Sequence, residues 1–88
     1  MSDDPSDIPI AVVVPHPHVR IDSNVLDGKS YVLGSRVPVY RIYAFYLCGT
    51  SFESIFKRYP QLGRAKVLDA LSYALDNHDL VSSEGNMT

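Results

Sequence analysis

The 88-residue chain contains a single cysteine, no tryptophan and no long apolar run. One cysteine, Cys48, excludes an intrachain disulfide, so a hydrophobic core must hold the fold together. The longest uninterrupted apolar stretch is only a few residues, whereas a membrane-spanning helix needs about 20. The N-terminus is acidic and lacks the basic segment that opens a signal peptide. These absences predict a cytoplasmic protein that does not enter a membrane.

Motifs for catalysis and for cofactors are also missing. No serine, histidine or aspartate falls in a strained, glycine-flanked nucleophile turn. The tripeptide Gly28-Lys29-Ser30 resembles the end of a phosphate-binding loop, but the upstream glycine is absent at the required spacing. His16 and His18 could form two ligands of a metal, yet no further histidine or cysteine stands nearby. We therefore predict no enzymatic activity, no cofactor and no metal site.

Charge is distributed unevenly along a chain of ordinary globular composition. The hydrophobic fraction is 45%, the charged fraction is 20% and the formal net charge is -2, which argues against indiscriminate binding to nucleic acid. The first seven residues contain three aspartates and no base. Four basic residues and no acid lie within residues 57–66, which marks either a candidate anion-facing patch or a solvated charged face.

The first 17 residues are predicted to form an acidic flexible arm followed by an apolar strand. Pro9 and Pro15 flank a valine-rich run, and these prolines favour an extended strand over a helix. Such a run is too apolar to remain exposed, so it must pair with the domain or with a second copy of the chain. We predict pairing across a homodimer, with Ile10, Val12, Val13 and Val14 at the interface.

Residues 18–81 are predicted to form the domain, which begins with short strands. Residues 18–21 and 30–33 alternate between apolar and polar side chains, and Asp27-Gly28 between them is a turn dipeptide. A second turn at Gly34-Ser35 precedes a third short extended segment, 36–39. Two or three small strands therefore fit this region, and the tail 82–88 is expected to be loose.

The period then changes to that of helices. The first helix starts near Pro38 and stops at Gly49. A capping box, Thr50 to Glu53, predicts a second helix over 51–58, which Pro60 ends. The third helix runs from about Gly63 to Asn77. Its predicted core stripe consists of Val67, Leu68, Leu71, Ala74 and Leu75.

The second and third helices, joined by a short turn, have the shape of a helix-turn-helix unit. Such a unit places the outer face of its last helix in the major groove of DNA. With the apolar stripe centred on Leu71, that outer face is predicted to carry the polar residues of the third helix. The predicted DNA contacts are Arg64, Ala65, Lys66, Asp69 and Tyr73, with Lys57 and Arg58 on phosphate. A plain three-helix packing unit with a hydrated outer face is the alternative.

The stretch Gly28–Val39 resembles a signature of the bacterial domain-of-unknown-function family 433, Gly-Lys-Pro-x-Ile-x-Gly-Thr-Arg-Ile-Pro-Val. The similarity continues through residues 49–55, 59–62 and 67–74, and covers about two-thirds of the chain. Ser30 and Ser35 replace the usual proline and threonine. At the start of the last helix, Gly63-Arg64-Ala65-Lys66 replaces a typical Thr-x-Glu-Asp.

The resemblance implies a mainly α fold, in which a small β-hairpin precedes a homeodomain-like, three-helix helix-turn-helix. It also implies that Arg36 pairs with an acid such as Asp22 or Asp27 and holds the hairpin. Members of the family are regarded as VapB-type antitoxins, often encoded beside PIN-like toxin nucleases. Such antitoxins are typically dimers that bind their own operator and mask the toxin.

Two functions follow as hypotheses. The first is a homodimeric, antitoxin-like transcriptional regulator that binds double-stranded DNA in a sequence-specific way through its last helix, with a PIN-like toxin as a further partner. The second is a protein-interaction module, toxin-neutralising or adaptor-like, without direct DNA binding. In that case the docking surface would be the segment Ile10–Val14 or an aromatic face made of Tyr40, Tyr43 and Tyr46.

Overall fold

A computed structural model describes residues 16–86 of the chain. The predicted acidic arm and the apolar interface strand Ile10–Val14 lie outside the described residues. The described part forms a small antiparallel sheet and four α-helices. The elements are β1 (Val19–Arg20), β2 (Tyr31–Val32), α1 (Val39–Leu47), α2 (Phe52–Arg58), α3 (Gly63–Asp76) and α4 (His78–Gly85). This architecture confirms the predicted mainly α fold with a small β-hairpin.

The hairpin is short and strongly paired. Val19 lies opposite Val32 and Arg20 opposite Tyr31, and a bridge from Tyr31 to Pro38 adds the third extended segment. The connection between the strands is a long loop with a 3-10 turn at Leu26–Gly28, not a two-residue turn. Buried Val19 and Val32 point from the sheet into the core.

The end of α1 is set by a glycine. Gly49 has a φ of 87°, which lets the chain reverse. Its N–H donates to the carbonyl of Tyr46 at 3.0 Å, and the Thr50 N–H donates to that of Phe45 at 3.0 Å. This is the Schellman arrangement of a helix C-terminus. It confirms the predicted stop at Gly49.

The same arrangement moves the start of α2 by one residue. Because the Thr50 N–H is already bonded to Phe45, it cannot serve as the donor that a capping box at Thr50 requires. Ser51 is the cap instead, and its Oγ accepts the Ser54 N–H at 3.2 Å. The predicted capping box is therefore wrong, and the carboxylate of Glu53 reaches α3.

Helix α3 packs against α1 with a different stripe from the predicted one. Its buried residues are Val67, Ala70, Leu71 and Ala74. Leu68 and Leu75 were predicted in the core, but they are 43% and 53% exposed. The buried face is turned from Leu71 towards Ala70 by roughly half of the 100° step between residues. The β1–β2 hairpin packs on one flank of α3, and this contact accounts for the rotation of the buried face.

The predicted loose tail over 82–88 is wrong as far as Gly85. Helix α4 packs against α1 and fully buries Val81. Glu84, only 7% exposed, accepts the Ser30 Oγ at 2.7 Å and the Ser30 N–H at 3.2 Å. The predicted domain boundary at residue 81 therefore cuts a helix that belongs to the core. No helix within residues 16–86 is long and apolar enough to cross a membrane.

We expect Glu84→Ala to lower the free energy of unfolding by about 1–3 kcal/mol, because it leaves two buried Ser30 donors without an acceptor. Urea denaturation monitored by circular dichroism measures the loss. Glu53→Ala is the control, since this carboxylate is 63% exposed and its ion pair stabilises by about 0–1 kcal/mol at most. Equal losses in the two variants would contradict a structural role for the buried carboxylate.

Candidate functional site

The face of α3 that was predicted to meet DNA is instead the attachment site of the hairpin. Asp69 Oδ2 accepts the backbone N–H of His18 at 2.8 Å and lies 3.1 Å from its Nδ1. Asp69 Oδ1 lies 3.2 Å from His16 Nδ1, and the other ring nitrogen of His16 lies 2.8 Å from Asp76 Oδ2. The Asp69 side chain is only 13% exposed. Its charge is thus used within the protein.

The two neighbours of Asp69 on this face also contact the hairpin region. Lys66 Nζ donates to the carbonyl of Leu33 at 3.1 Å. Tyr73 is half-buried and meets the His16 ring edge-on, with centroids 5.4 Å apart. Burial raises the pKa of Tyr73, the Glu84 charge adds to the rise, and a hydrogen bond with Ser30 opposes it.

The prediction that Lys66, Asp69 and Tyr73 project away from the domain is therefore wrong. Two causes act together. The rotation of α3 brings these residues towards the sheet, and the segment from His16 to Val19 covers Asp69 and Tyr73. A duplex would have to displace this segment before it could touch Asp69.

The start of α3 is exposed, but its cation is already paired. Arg64 donates to both carboxylate oxygens of Glu53, at 2.8 and 3.2 Å. Its guanidinium also lies 4.8 Å from the centre of the Phe56 ring. Ala65 beside it is exposed. The basic cluster expected over residues 57–66 therefore does not act as one patch, because its members face different partners.

The outer face of α3 carries two exposed leucines as well as the exposed charged residues Arg64 and Asp76. Four of its exposed residues recur at intervals of three and four, which places them on one line along the helix. We name this line the outer stripe: Ala65, Leu68, Ser72 and Leu75. No charged residue belongs to it, so it offers no cation to phosphate. The spacing was visible in the sequence, but its two leucines were assigned to the core.

A second surface brings together arginines that are distant in the chain. Arg36, Arg41 and Arg58 line one open groove of about 580 Å³ on the side of α1 and α2. The Arg58 guanidinium lies 4.7 Å from the centre of the Phe45 ring. Lys57, its neighbour on α2, is exposed and does not line the groove. Of the residues predicted to contact phosphate, only Arg58 belongs to this groove.

Arg36 has a different position from the expected one. The ion pairs found within residues 16–86 do not include Arg36, so the expected pairing with Asp22 or Asp27 is not formed. The Asp22 carboxylate instead accepts the Asn24 N–H at 2.9 Å. The backbone and the Asp69 contacts hold the hairpin without this pair. No local spacing in the sequence relates Arg36 to the other two arginines.

The aromatic face proposed for a partner is interrupted. Tyr43 is 3% exposed, and its hydroxyl lies 2.6 Å from His78 Nδ1 of α4. The Tyr46 ring stacks between those of Tyr43 and Phe52. The predicted continuous docking surface through Tyr43 is therefore wrong. Within residues 16–86, no three histidine, cysteine or acidic side chains are grouped to hold a metal ion.

A comparison with known protein families decides the family. The sequence pattern of the family described as protein of unknown function, DUF433, matches residues 19–74. The chain belongs to this family. The match runs from β1 almost to the end of α3 and so leaves α4 outside it. No curated protein and no solved structure matches the chain. The DUF433 assignment confirms the resemblance, and its description carries no function.

We expect Asp69→Ala to loosen the hairpin of this DUF433 protein, because the His18 N–H and two histidine rings lose a shared acceptor. The free energy of unfolding falls by about 1–3 kcal/mol. Hydrogen exchange at the Leu33 amide, which donates to the His18 carbonyl, accelerates more than at Tyr59 in the C-cap of α2. Asp79→Ala, an exposed site on α4, is the control. Unchanged exchange at Leu33 would contradict the role of Asp69.

A pH dependence follows from Tyr73. Its pKa is raised above the usual 10.0, so the folded protein holds the phenol proton more tightly than the unfolded chain does. This stabilisation is complete below pH 10.0 and is lost as the pH rises through the folded pKa. We expect Tyr73→Phe to flatten the fall in unfolding free energy above that pH in urea titrations. A variant as steep as the wild type would contradict the burial of this phenol.

Proposed function

We propose that the protein is a protein-interaction module whose docking surface is the outer stripe of α3 and whose first partner is a second copy of the chain. One observation carries the proposal: the outer stripe of α3 presents two exposed leucines and no charged residue to solvent. Leu68 and Leu75 expose about half of their surface there. The polar flank of the same helix is bonded to the hairpin through Asp69.

The outer stripe suits a copy of itself. Along α3 its residues alternate between small (Ala65, Ser72) and large (Leu68, Leu75). In an antiparallel pair of α3 helices related by a two-fold axis, Leu68 lies opposite Ser72 and Leu75 lies opposite Ala65. Each leucine then enters the recess left by a small residue, as knobs enter holes in helix pairs. Because the two surfaces are the same, the interface is closed and the assembly is a dimer.

The leucines alone do not make a tight dimer. Full burial of a leucine contributes about 1.5–3 kcal/mol, so each half-exposed leucine adds about 1 kcal/mol. Four of them in a dimer give about 4 kcal/mol, which corresponds to a millimolar dissociation constant. A micromolar dimer needs about 8 kcal/mol. Further apolar area must therefore join the interface.

The segment Ile10–Val14, outside the described residues, is the proposed source of that area. The described chain begins at His16, whose ring lies between Asp69 and Asp76 beside the outer stripe. Val14 is two residues away, a reach of about 7 Å, whereas adjacent positions on a helix surface are about 5–6 Å apart. The described chain thus begins next to the stripe. The proposal assigns Ile10–Val14 and the stripe to one interface.

Sequence-specific DNA binding through α3 is the less well supported function. Asp69 and Tyr73 are covered, Arg64 is neutralised by Glu53, and the outer stripe presents no cation to a phosphate. Operator binding, an antitoxin role and a PIN-like toxin partner therefore stay predictions from the family resemblance. A partner other than a second copy would use the same apolar face.

We expect the wild-type chain to dimerise and Leu68→Glu to raise the dissociation constant at least about a hundredfold, because a carboxylate would be buried in an apolar interface. Sedimentation equilibrium over a concentration series measures the constant. Leu47→Glu is the matched control, since Leu47 is 57% exposed on α1 and lies off the stripe. Removing residues 1–15 should weaken the dimer as well.

Three results would overturn this proposal. The wild-type chain could remain monomeric at every concentration. The Leu47 variant could dissociate the dimer as strongly as the Leu68 variant. A salt-dependent gel shift on DNA upstream of the protein's own gene, abolished by Arg64→Glu, would assign α3 to DNA instead.

A further inference from the structure

The groove on the side of α1 and α2 collects positive charge without a compensating acid. Its lining contains Arg36 from the turn after β2, Arg41 from α1 and Arg58 from the end of α2. Among residues 16–86, no aspartate or glutamate lines it. Asp27 and Lys29 line a small adjoining hollow, where their opposite charges offset each other. The groove itself therefore carries three guanidinium groups and no carboxylate.

The three arginines that line the groove carry like charges. Like charges brought together repel, and the ion pairs within residues 16–86 include none of the three arginines. An anion that enters the groove removes the repulsion and gains charge-assisted hydrogen bonds. Guanidinium groups bind phosphate through two parallel hydrogen bonds, which makes arginine the side chain of choice for phosphate recognition.

The walls of the groove are apolar and aromatic. Tyr40, Phe45 and Tyr59 line it together with Val37 and Pro38. Tyr59 is buried, which raises its pKa, while the nearby charges of Arg41 and Arg58 lower it. The phenol is therefore within the electrostatic reach of two of the three arginines. A planar ring can rest on such walls while an attached phosphate meets the cations.

Size and charge together indicate one class of ligand. The volume of about 580 Å³ lies within the usual range for small-molecule sites. A phosphate monoester carries about -1.5 to -2 charges, so it offsets more of the three guanidinium charges than one carboxylate can. An oligoglutamate peptide offers charge but no planar ring for the aromatic walls.

We propose that the groove lined by Arg36, Arg41 and Arg58 is a binding site for a nucleoside phosphate, either free or as part of a nucleic acid strand. None of the residues that line the groove belongs to α3, so the site is separate from the outer stripe and does not require the dimer. It also differs from the predicted set of DNA contacts, with which it shares only Arg58.

The test is isothermal titration of the full chain with ADP, a short 5′-phosphorylated single-stranded DNA, inorganic phosphate and an oligoglutamate peptide. We expect ADP or the strand to bind more tightly than phosphate or the peptide, and the affinity to fall with salt. ADP binding indicates a free nucleotide, and binding of the strand alone indicates a nucleic acid. In the wild-type chain, the amides of Val37 and Tyr59 should shift in NMR spectra during the titration.

Matched variants distinguish binding in the groove from nonspecific electrostatic attraction to the protein surface. Arg58→Gln and Lys57→Gln remove the same charge from adjacent positions of α2, but only Arg58 lines the groove. We expect the Arg58 variant to lose about tenfold in affinity and the Lys57 variant less than about twofold. Arg41→Gln should behave like Arg58→Gln. Equal losses in the Lys57 and Arg58 variants, peptide binding as tight as nucleotide binding, or no binding of ADP or the strand would overturn the proposal.

Discussion

The carboxylate of Asp69 joins the two parts of this small domain. It receives a backbone N–H and faces two histidine rings from the segment that leads into β1. A half-buried carboxylate with three nitrogen partners is stabilised only while that segment stays in place. The hairpin therefore rests on one flank of α3, and α1 takes the next flank. The face of α3 that remains for solvent is decided by these two contacts.

The position of the hairpin on α3 decides which side chains of the helix are exposed on the surface. The polar flank of α3 becomes internal, and the leucines on its other side become external. Meanwhile Arg64 folds back onto Glu53 and Phe56, so the start of α3 presents a neutralised cation. Positive charge without an ion-pair partner among residues 16–86 gathers instead in the groove beside α1. An apolar stripe and a cationic groove thus occupy different parts of one small protein, and each suits a different partner.

Helix α4 shows how a weak local signal can be overridden. Its sequence over 82–85 is polar and ends in glycine, which favours a loose tail. However, Val81 is fully buried and Glu84 satisfies two donors of Ser30 inside the protein. The contact links the C-terminal helix to the start of β2, far away in the chain. Burial of these groups offsets the poor helix propensity of the segment.

The sequence by itself determined the start and the end of α1 and the end of α2. Pro38, Gly49 and Pro60 act on the backbone of their own neighbours, so their effects can be read without a fold. The family motif from Gly28 to Val39 likewise identified the hairpin and its class. Tertiary structure alone decided which side of α3 faces outward, whether the tail forms a helix and which arginines meet. Those outcomes depend on packing between segments that are distant in the chain. When α3 rotates by half of the step between residues, a buried side chain becomes exposed and an exposed one becomes buried.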